Sequence, residues 1–246
     1  NTRLMDIKVS LTEKLFGKAF HKYSLLGDKT FFDPYVLPVA KELENNFVEI
    51  QKEVKAILAR YDDLVVFQSV SPNQAYIPID DKWRMFFFKA VGIGFKHNQK
   101  IAPTIAKIVN KYPDICSAYI SVLGPKTYLN PHRGPWSGII RMHLGAVVPE
   151  INKCTLIVEK KPYHWKEGEV VLFDDTYEHM AINDTDKPRA IVFLDIMRPL
   201  PQPWKFFNWL CLRLALFTPY VISGYFKHRK WQKLFFKDHE SHFNTN

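Results

Sequence analysis

A chain of 246 residues, with 47% hydrophobic, 15% aromatic and 24% charged residues, has enough apolar material for one sizeable core and is no disordered tail. Its three cysteines, Cys116, Cys154 and Cys211, are far apart and form no CxxC pair, which excludes a disulfide framework or thiolate zinc site and suits a reducing compartment. The net charge is +9, with eight Lys/Arg against two acids between Arg198 and Asn246, yet no nucleic-acid motif accompanies this basic tail, so nucleic acid is not the expected partner.

No signal peptide is visible after Asn1, and the expected location is cytoplasmic or membrane-associated on the cytoplasmic side. Leu43, Phe47, Ile50, Val54 and Ile57 recur at steps of four, three, four and three, which predicts one amphipathic helix. Asp33-Pro34 is its start signal and Asp62-Asp63 its exit. A second helix is expected from Pro103 to Lys111, since Pro suits a first helical position and Pro113 bars continuation.

Past Pro113 the period changes to two. Ala118 to Leu123, Gly138 to Val148, Thr155 to Glu159, Glu169 to Phe173 and Arg189 to Met197 read as strands bounded by turn residues. Short strands in series imply a mainly β sandwich or barrel with flanking helices. Alternation puts Arg141 and His143 on one face of their strand and Ile140, Met142 and Leu144 on the other; Arg189, Ile191, Phe193 and Asp195 likewise share a face. Each Arg alone is more simply read as solvated, but two Arg with nearby His describe a barrel interior able to hold a metal and a dicarboxylate.

From Trp204 to Phe226 the chain is aromatic and aliphatic but interrupted by Lys205, Arg213 and Pro219, with Lys227-His228-Arg229-Lys230-Trp231 following. This is no clean transmembrane span. Residues 204–246 therefore read either as an interfacial element on an anionic membrane or as a helical pair closing against the barrel.

The candidate site rests on His132, in Asn130-Pro131-His132-Arg133-Gly134-Pro135, and His179, in Phe173-Asp174-Asp175-Thr176-Tyr177-Glu178-His179. Neutral imidazole binds Fe(II) well, although a lone His among nine is more often a packed or exposed residue. The stretches His132 to Gly138, Arg141 to Gly145, Trp165 to Glu169, Phe173 to His179 and Arg189 to Pro199 together resemble the aspartyl/asparaginyl beta-hydroxylase family of Fe(II)- and 2-oxoglutarate-dependent dioxygenases. Phe67 to Ser71 and Asp80 to Trp83 match more loosely.

The resemblance implies a double-stranded β-helix, a jelly-roll or cupin-like barrel over about residues 115–200, within an oxygenase domain of residues 1–203. It implies that His132 and His179 bind iron. Arg189 and Ser121 would hold the distal carboxylate of 2-oxoglutarate, with Arg141 and His143 near its iron-binding end and O2 as cosubstrate. Related oxygenases carry an Asp or Glu two residues after the first His, where this chain has Gly134; the same glycine occurs in the peptidyl hydroxylases, where water takes the vacated place. Asp174, Asp175 and Glu178 are candidate supporting partners, with turn-forming or solvated roles equally open.

The implied reaction hydroxylates an unactivated C–H. The first expectation for the substrate is the β-carbon of an Asp or Asn side chain in a peptide, or a related small molecule. A membrane-lipid acyl chain is the alternative, since the stretch from Tyr177 to Asp186 also resembles the lipid hydroxylases. A non-catalytic, membrane-associated binding protein is a third reading, which the presence of His132, His179, Arg141 and Arg189 disfavours.

Overall fold

The computed structural model describes residues 3–237. Its first part runs α1 (Arg3–Lys22), β1 (Phe31–Phe32), α2 (Pro38–Asn45), α3 (Phe47–Leu58), β2 (Val65–Val66), α4 (Phe67–Val70), β3 (Trp83–Ala90), β4 (Ile93–Gly94), α5 (Lys96–Ile101) and α6 (Pro103–Lys111). Then come β5 (Ile115–Leu123), β6 (Thr127–His132), β7 (Ile139–Val147), β8 (Cys154–Val158), β9 (Lys161–His164), β10 (Val170–Phe173), β11 (His179–Asn183) and β12 (Arg189–Met197). Two helices follow, α7 (Trp204–Ala215) and α8 (Pro219–Lys237).

The stripe from Leu43 to Ile57 spans two helices rather than one. Asn46 breaks it, donating both its backbone N–H and its Nδ2 to the Glu42 carbonyl and so closing α2 before α3 begins. Asn competes for backbone partners in this way, and a hydrophobic period alone does not register it. Asp33-Pro34 starts only a short 3-10 turn, in which Asp33 Oδ1 accepts from the Tyr35 N–H, and Asp62-Asp63 lies in another such turn. The α6 helix has the expected bounds.

From β5 to β12 the chain shuttles between two antiparallel sheets. The order β1-β10-β7-β12-β5-β3-β2 makes the larger sheet, with β4 paired to β3, and β6-β11-β8-β9 makes the smaller one. Strands β5, β7, β10 and β12 face β6, β8, β9 and β11, which is the double-stranded β-helix, a jelly-roll barrel. Pro131 is accommodated because β6 is an edge strand of its sheet.

The large sheet buries both faces. Ala118, Ile120, Val122, Ile140, Met142 and Leu144 pack outward beneath the α2, α3 and α6 helices, while Tyr119, Phe173, Ile191 and Phe193 pack inward against Leu156 and Val158 of the small sheet. Register therefore decides chemistry: the residues between the outward-facing ones, Arg141, His143 and Ser121, point into the barrel.

The C-terminal helices pack on this frame. Asn208 of α7 accepts from Trp136 Nε1 and donates to the Gly138 carbonyl, while Phe235 of α8 enters the outer core beside Phe86. Gln232 donates to Asn98, and Trp231 to the Asp63 carbonyl. No helix among the described residues is long and apolar enough to cross a membrane.

Candidate active site

His132 at the end of β6 and His179 at the start of β11 are paired across the small sheet, with ring centroids 4.2 Å apart. His132 Nδ1 lies 2.7 Å from the Asn130 carbonyl and His179 Nδ1 lies 2.9 Å from the Tyr177 carbonyl. A carbonyl only accepts, so each Nδ1 carries the proton and each Nε2 presents a lone pair. Burial, then mutual proximity, lowers the His132 pKa to about 3; burial and Arg141 lower that of His179 to about 4. Two neutral imidazoles that present Nε2 lone pairs are a donor set suited to Fe(II). Among the described residues, no third His, Cys, Asp or Glu completes a metal-binding cluster with them.

Gly134 explains part of that geometry. A Cβ built there would fall inside the Asp175 carboxylate, and the Gly134 N–H donates to the Asp175 carbonyl at 2.7 Å. Asp175 is fully buried and pairs with Arg141 Nη2 at 2.9 Å, while Arg141 Nε donates to Asp195 at 3.0 Å. Burial works against the Arg141 charge, but these two carboxylates hold its pKa above the ordinary value. Arg141 Nη1 is also 3.5 Å from His179 Nε2. Thus Arg141 is already neutralised by two acids beside the histidine pair, a feature that strand alternation does not reveal.

Farther along the barrel lies a group of buried polar atoms without partners. Arg189 is 2% exposed, with Nε and Nη1 unbonded; both ring nitrogens of His143 and the Nε1 of Trp165 are also unbonded. The Arg189 guanidinium stacks 4.3 Å from the Trp165 ring centre. Burial lowers its pKa to about 10. Ser121 Oγ accepts from Trp83 Nε1 at 3.0 Å, leaving its own hydrogen to donate. An unpaired buried cation surrounded by donors is costly by itself and suited to an anionic ligand such as a dicarboxylate. Arg189 opens β12 yet sits deep in the interior rather than at a mouth.

Trp165 and Trp83 join this group from the Trp165 to Glu169 and Asp80 to Trp83 stretches, whose composition alone assigns them no role. The three acids near His179 separate cleanly. Asp174 braces its turn, accepting from the Thr176 N–H and hydroxyl and from Arg198; Asp175 pairs with Arg141; Glu178 is exposed.

All six residues singled out from the sequence, Ser121, His132, Arg141, His143, His179 and Arg189, line one cavity of about 330 Å³. Phe67, Val70, Met85, Phe87 and Phe95 line the same cavity, and Val221, Gly224, Tyr225 and His228 form its wall on one face of α8.

The sequence profile described as aspartyl/asparaginyl beta-hydroxylase matches residues 44–199. The chain belongs to that family. An ornithine lipid ester-linked acyl 2-hydroxylase of Rhizobium tropici is 38% identical over 89% of this chain and 79% of its own length. The human aspartyl/asparaginyl beta-hydroxylase is 28% identical over 67% of this chain but only 22% of its own length. An aspartate beta-hydroxylase domain-containing protein 2 from Xenopus tropicalis is 30% identical over 64% of this chain and 44% of its own length. The chain thus spans most of the first relative and less than half of the other two.

Proposed function

We propose that this protein is an Fe(II)- and 2-oxoglutarate-dependent hydroxylase acting on the acyl chain of a membrane lipid. The observation that carries the reading is the cavity, whose wall around the histidine pair is largely aromatic and aliphatic. Its volume lies in the ordinary range for small-molecule sites. A peptide Asp would call for a free cation in that wall. The guanidiniums lining the cavity are Arg133, Arg141 and Arg189: Arg141 is neutralised, Arg189 belongs with the 2-oxoglutarate group, and Arg133, which keeps its charge, is exposed at the surface with one hydrogen bond to the Thr176 carbonyl. The likeness to the Rhizobium acyl hydroxylase agrees with this preference, so the lipid alternative takes precedence over the peptide substrate.

In this reading His132 and His179 hold iron through Nε2. Arg189, His143, Trp165 and Ser121 receive 2-oxoglutarate. When bound, iron and 2-oxoglutarate supply the oxidising power that places one atom of O2 on an unactivated carbon. The chain's own residues bind, orient and exclude water. The Asn130 and Tyr177 carbonyls fix both ring tautomers, and the Asp175–Arg141–Asp195 group buttresses the His179 ring. Phe173, Tyr119 and Phe193 keep the interior dry.

The exposed side of α7 and α8 completes the proposal as the membrane-facing surface on the cytoplasmic side. Phe206, Trp209, Phe217 and Phe226 stand in solvent among Lys205, Arg213, Lys227, Arg229 and Lys230, the mixture that suits an anionic interface. The test is incubation of purified protein with Fe(II), 2-oxoglutarate and total membrane lipid beside a peptide library. Gain of one oxygen on lipid acyl chains with matching succinate is expected, and oxygen gained only by peptides would overturn the substrate.

A further inference from the structure

A second concavity opens under α7. It has a volume of about 520 Å³ and lies between the 202–213 stretch, the turn from Lys89 to Gly92 and the start of β5. Three cations line it, Lys89, Lys205 and Arg213, with Asp114 as the one acid among the lining residues. None of the three cations has a carboxylate within ion-pair distance among the described residues. Phe206 and Trp209 form its outer lip, 51% and 41% exposed.

Lys89 is the informative member. It is half-buried on β3, where burial depresses its pKa; Cys116 opposes this, Arg213 adds to it and Asp114 opposes it more weakly. A fold gains nothing from pressing an unpaired ammonium against a second cation in a half-dry groove. Such an arrangement persists where an anion completes it.

The groove also adjoins the barrel cavity. Val91 lines both. Val91 and Gly92 form the turn between β3 and β4 with φ of 46° and 85°. The left-handed region is costly for a β-branched residue, and strain of this kind gathers at ligand clamps. Here the turn is tied to β5 by the Val91 N–H on Ser117 Oγ and the Gly92 N–H on the Cys116 carbonyl.

We propose that this groove is a headgroup site: Lys89, Lys205 and Arg213 bind the negatively charged headgroup of the lipid whose acyl chain runs past Val91 toward His132 and His179. The inference rests on the acyl-hydroxylase reading above and adds where the polar end of that substrate sits. It also gives the exposed Phe206 and Trp209 a specific task, seating in the bilayer interface beside a bound headgroup.

The experiment uses the full chain and vesicles of phosphatidylcholine with or without phosphatidylglycerol, comparing three combined variants. Lys89→Gln, Lys205→Gln and Arg213→Gln together should weaken partition onto the anionic vesicles by about a hundredfold, as three cations at an anionic surface allow. The same variant should raise KM for the lipid substrate. Lys52→Gln, Lys153→Gln and Lys166→Gln, which remove equal charge elsewhere on the surface, should bind as wild type. Lys89→Arg, Lys205→Arg and Arg213→Lys, which keep the charge, should also bind as wild type. Soluble glycerol phosphate should not displace the wild-type protein, whereas displacement would show a free-anion site and overturn the headgroup assignment. Equal loss in the two Gln variants would reduce the effect to net charge and overturn it too. The acyl-hydroxylase reading is checked separately by wild-type turnover. If wild type hydroxylates lipid while the groove variant binds vesicles and lipid normally, the headgroup site alone is overturned; if wild type hydroxylates none, both are.

Discussion

The Asp175 carboxylate occupies the space that a side chain at Gly134 would need, and it is held there by Arg141 at 2.9 Å. The residue two positions after His132 is therefore kept small by a neighbouring acid that is itself committed to an arginine. Gly134→Ala should push Asp175 off Arg141 and destabilise the protein by about 1–3 kcal/mol, the usual cost of overpacking. Thermal unfolding measures it, and an unchanged Tm would mean that Asp175 moves freely. Gly134→Asp should be worse, because it adds a second carboxylate beside a buried one.

Arg189→Lys should raise the Kd for 2-oxoglutarate by about a hundredfold. A lysine keeps the charge but loses both the planar fork and the stacking on Trp165. Equilibrium binding of 2-oxoglutarate measures this, with Arg141→Lys for comparison. Since Arg141 is satisfied by Asp175 and Asp195, that variant should lose stability rather than 2-oxoglutarate affinity. Equal 2-oxoglutarate affinity in wild type and Arg189→Lys would remove Arg189 from the anion site.

Much of this arrangement is legible in the sequence. Two-residue alternation is enough to turn Arg141, His143 and Arg189 inward, since one face of each strand must meet the helices. What alternation misses are residues whose role depends on distant partners. Trp165 and Asp195 come from separate strands or loops, and their meeting with Arg189 and Arg141 is set by the jelly-roll crossing, not by local pattern. The β6 and β11 strands are also hidden, because Pro131 and the turn residues before His179 look like loop. The single long helix expected over Leu43 to Ile57 fails for a local reason, the hydrogen bonds of Asn46.

The α8 wall of the cavity carries a pH prediction. His228 is 2% exposed among Phe87, Phe95 and Trp231, with both ring nitrogens unbonded, and burial, then Arg229, lowers its pKa to about 3. A histidine whose folded pKa lies below the unfolded value of about 6.5 contributes stability that is fully present above that pH and is lost as pH falls toward 3. Its share is on the order of a few kcal/mol. His228→Phe should therefore flatten the fall of Tm between about pH 6.5 and about pH 3. An acid limb identical to wild type would contradict the burial argument.

The exposed side of the C-terminal helices can be tested without disturbing the side that lines the cavity. Phe217 and Phe226 are 77% and 66% exposed. Phe217→Ser with Phe226→Ser should leave the unfolding free energy within about 0.5 kcal/mol of wild type, as exposed substitutions do. Co-sedimentation with anionic vesicles should fall by about tenfold or more, given about 1.5–3 kcal/mol for burying each ring. Unaltered vesicle binding would detach these helices from the membrane.

The most direct test of the central claim is mass spectrometry of lipid acyl chains after incubation under isotopically labelled O2 with Fe(II) and 2-oxoglutarate. The wild-type protein should place one labelled oxygen on an acyl carbon, with stoichiometric succinate, while His179→Ala should retain no iron and give no product. Label found only on peptide side chains, or on acyl chains in the His179→Ala variant, would contradict the account.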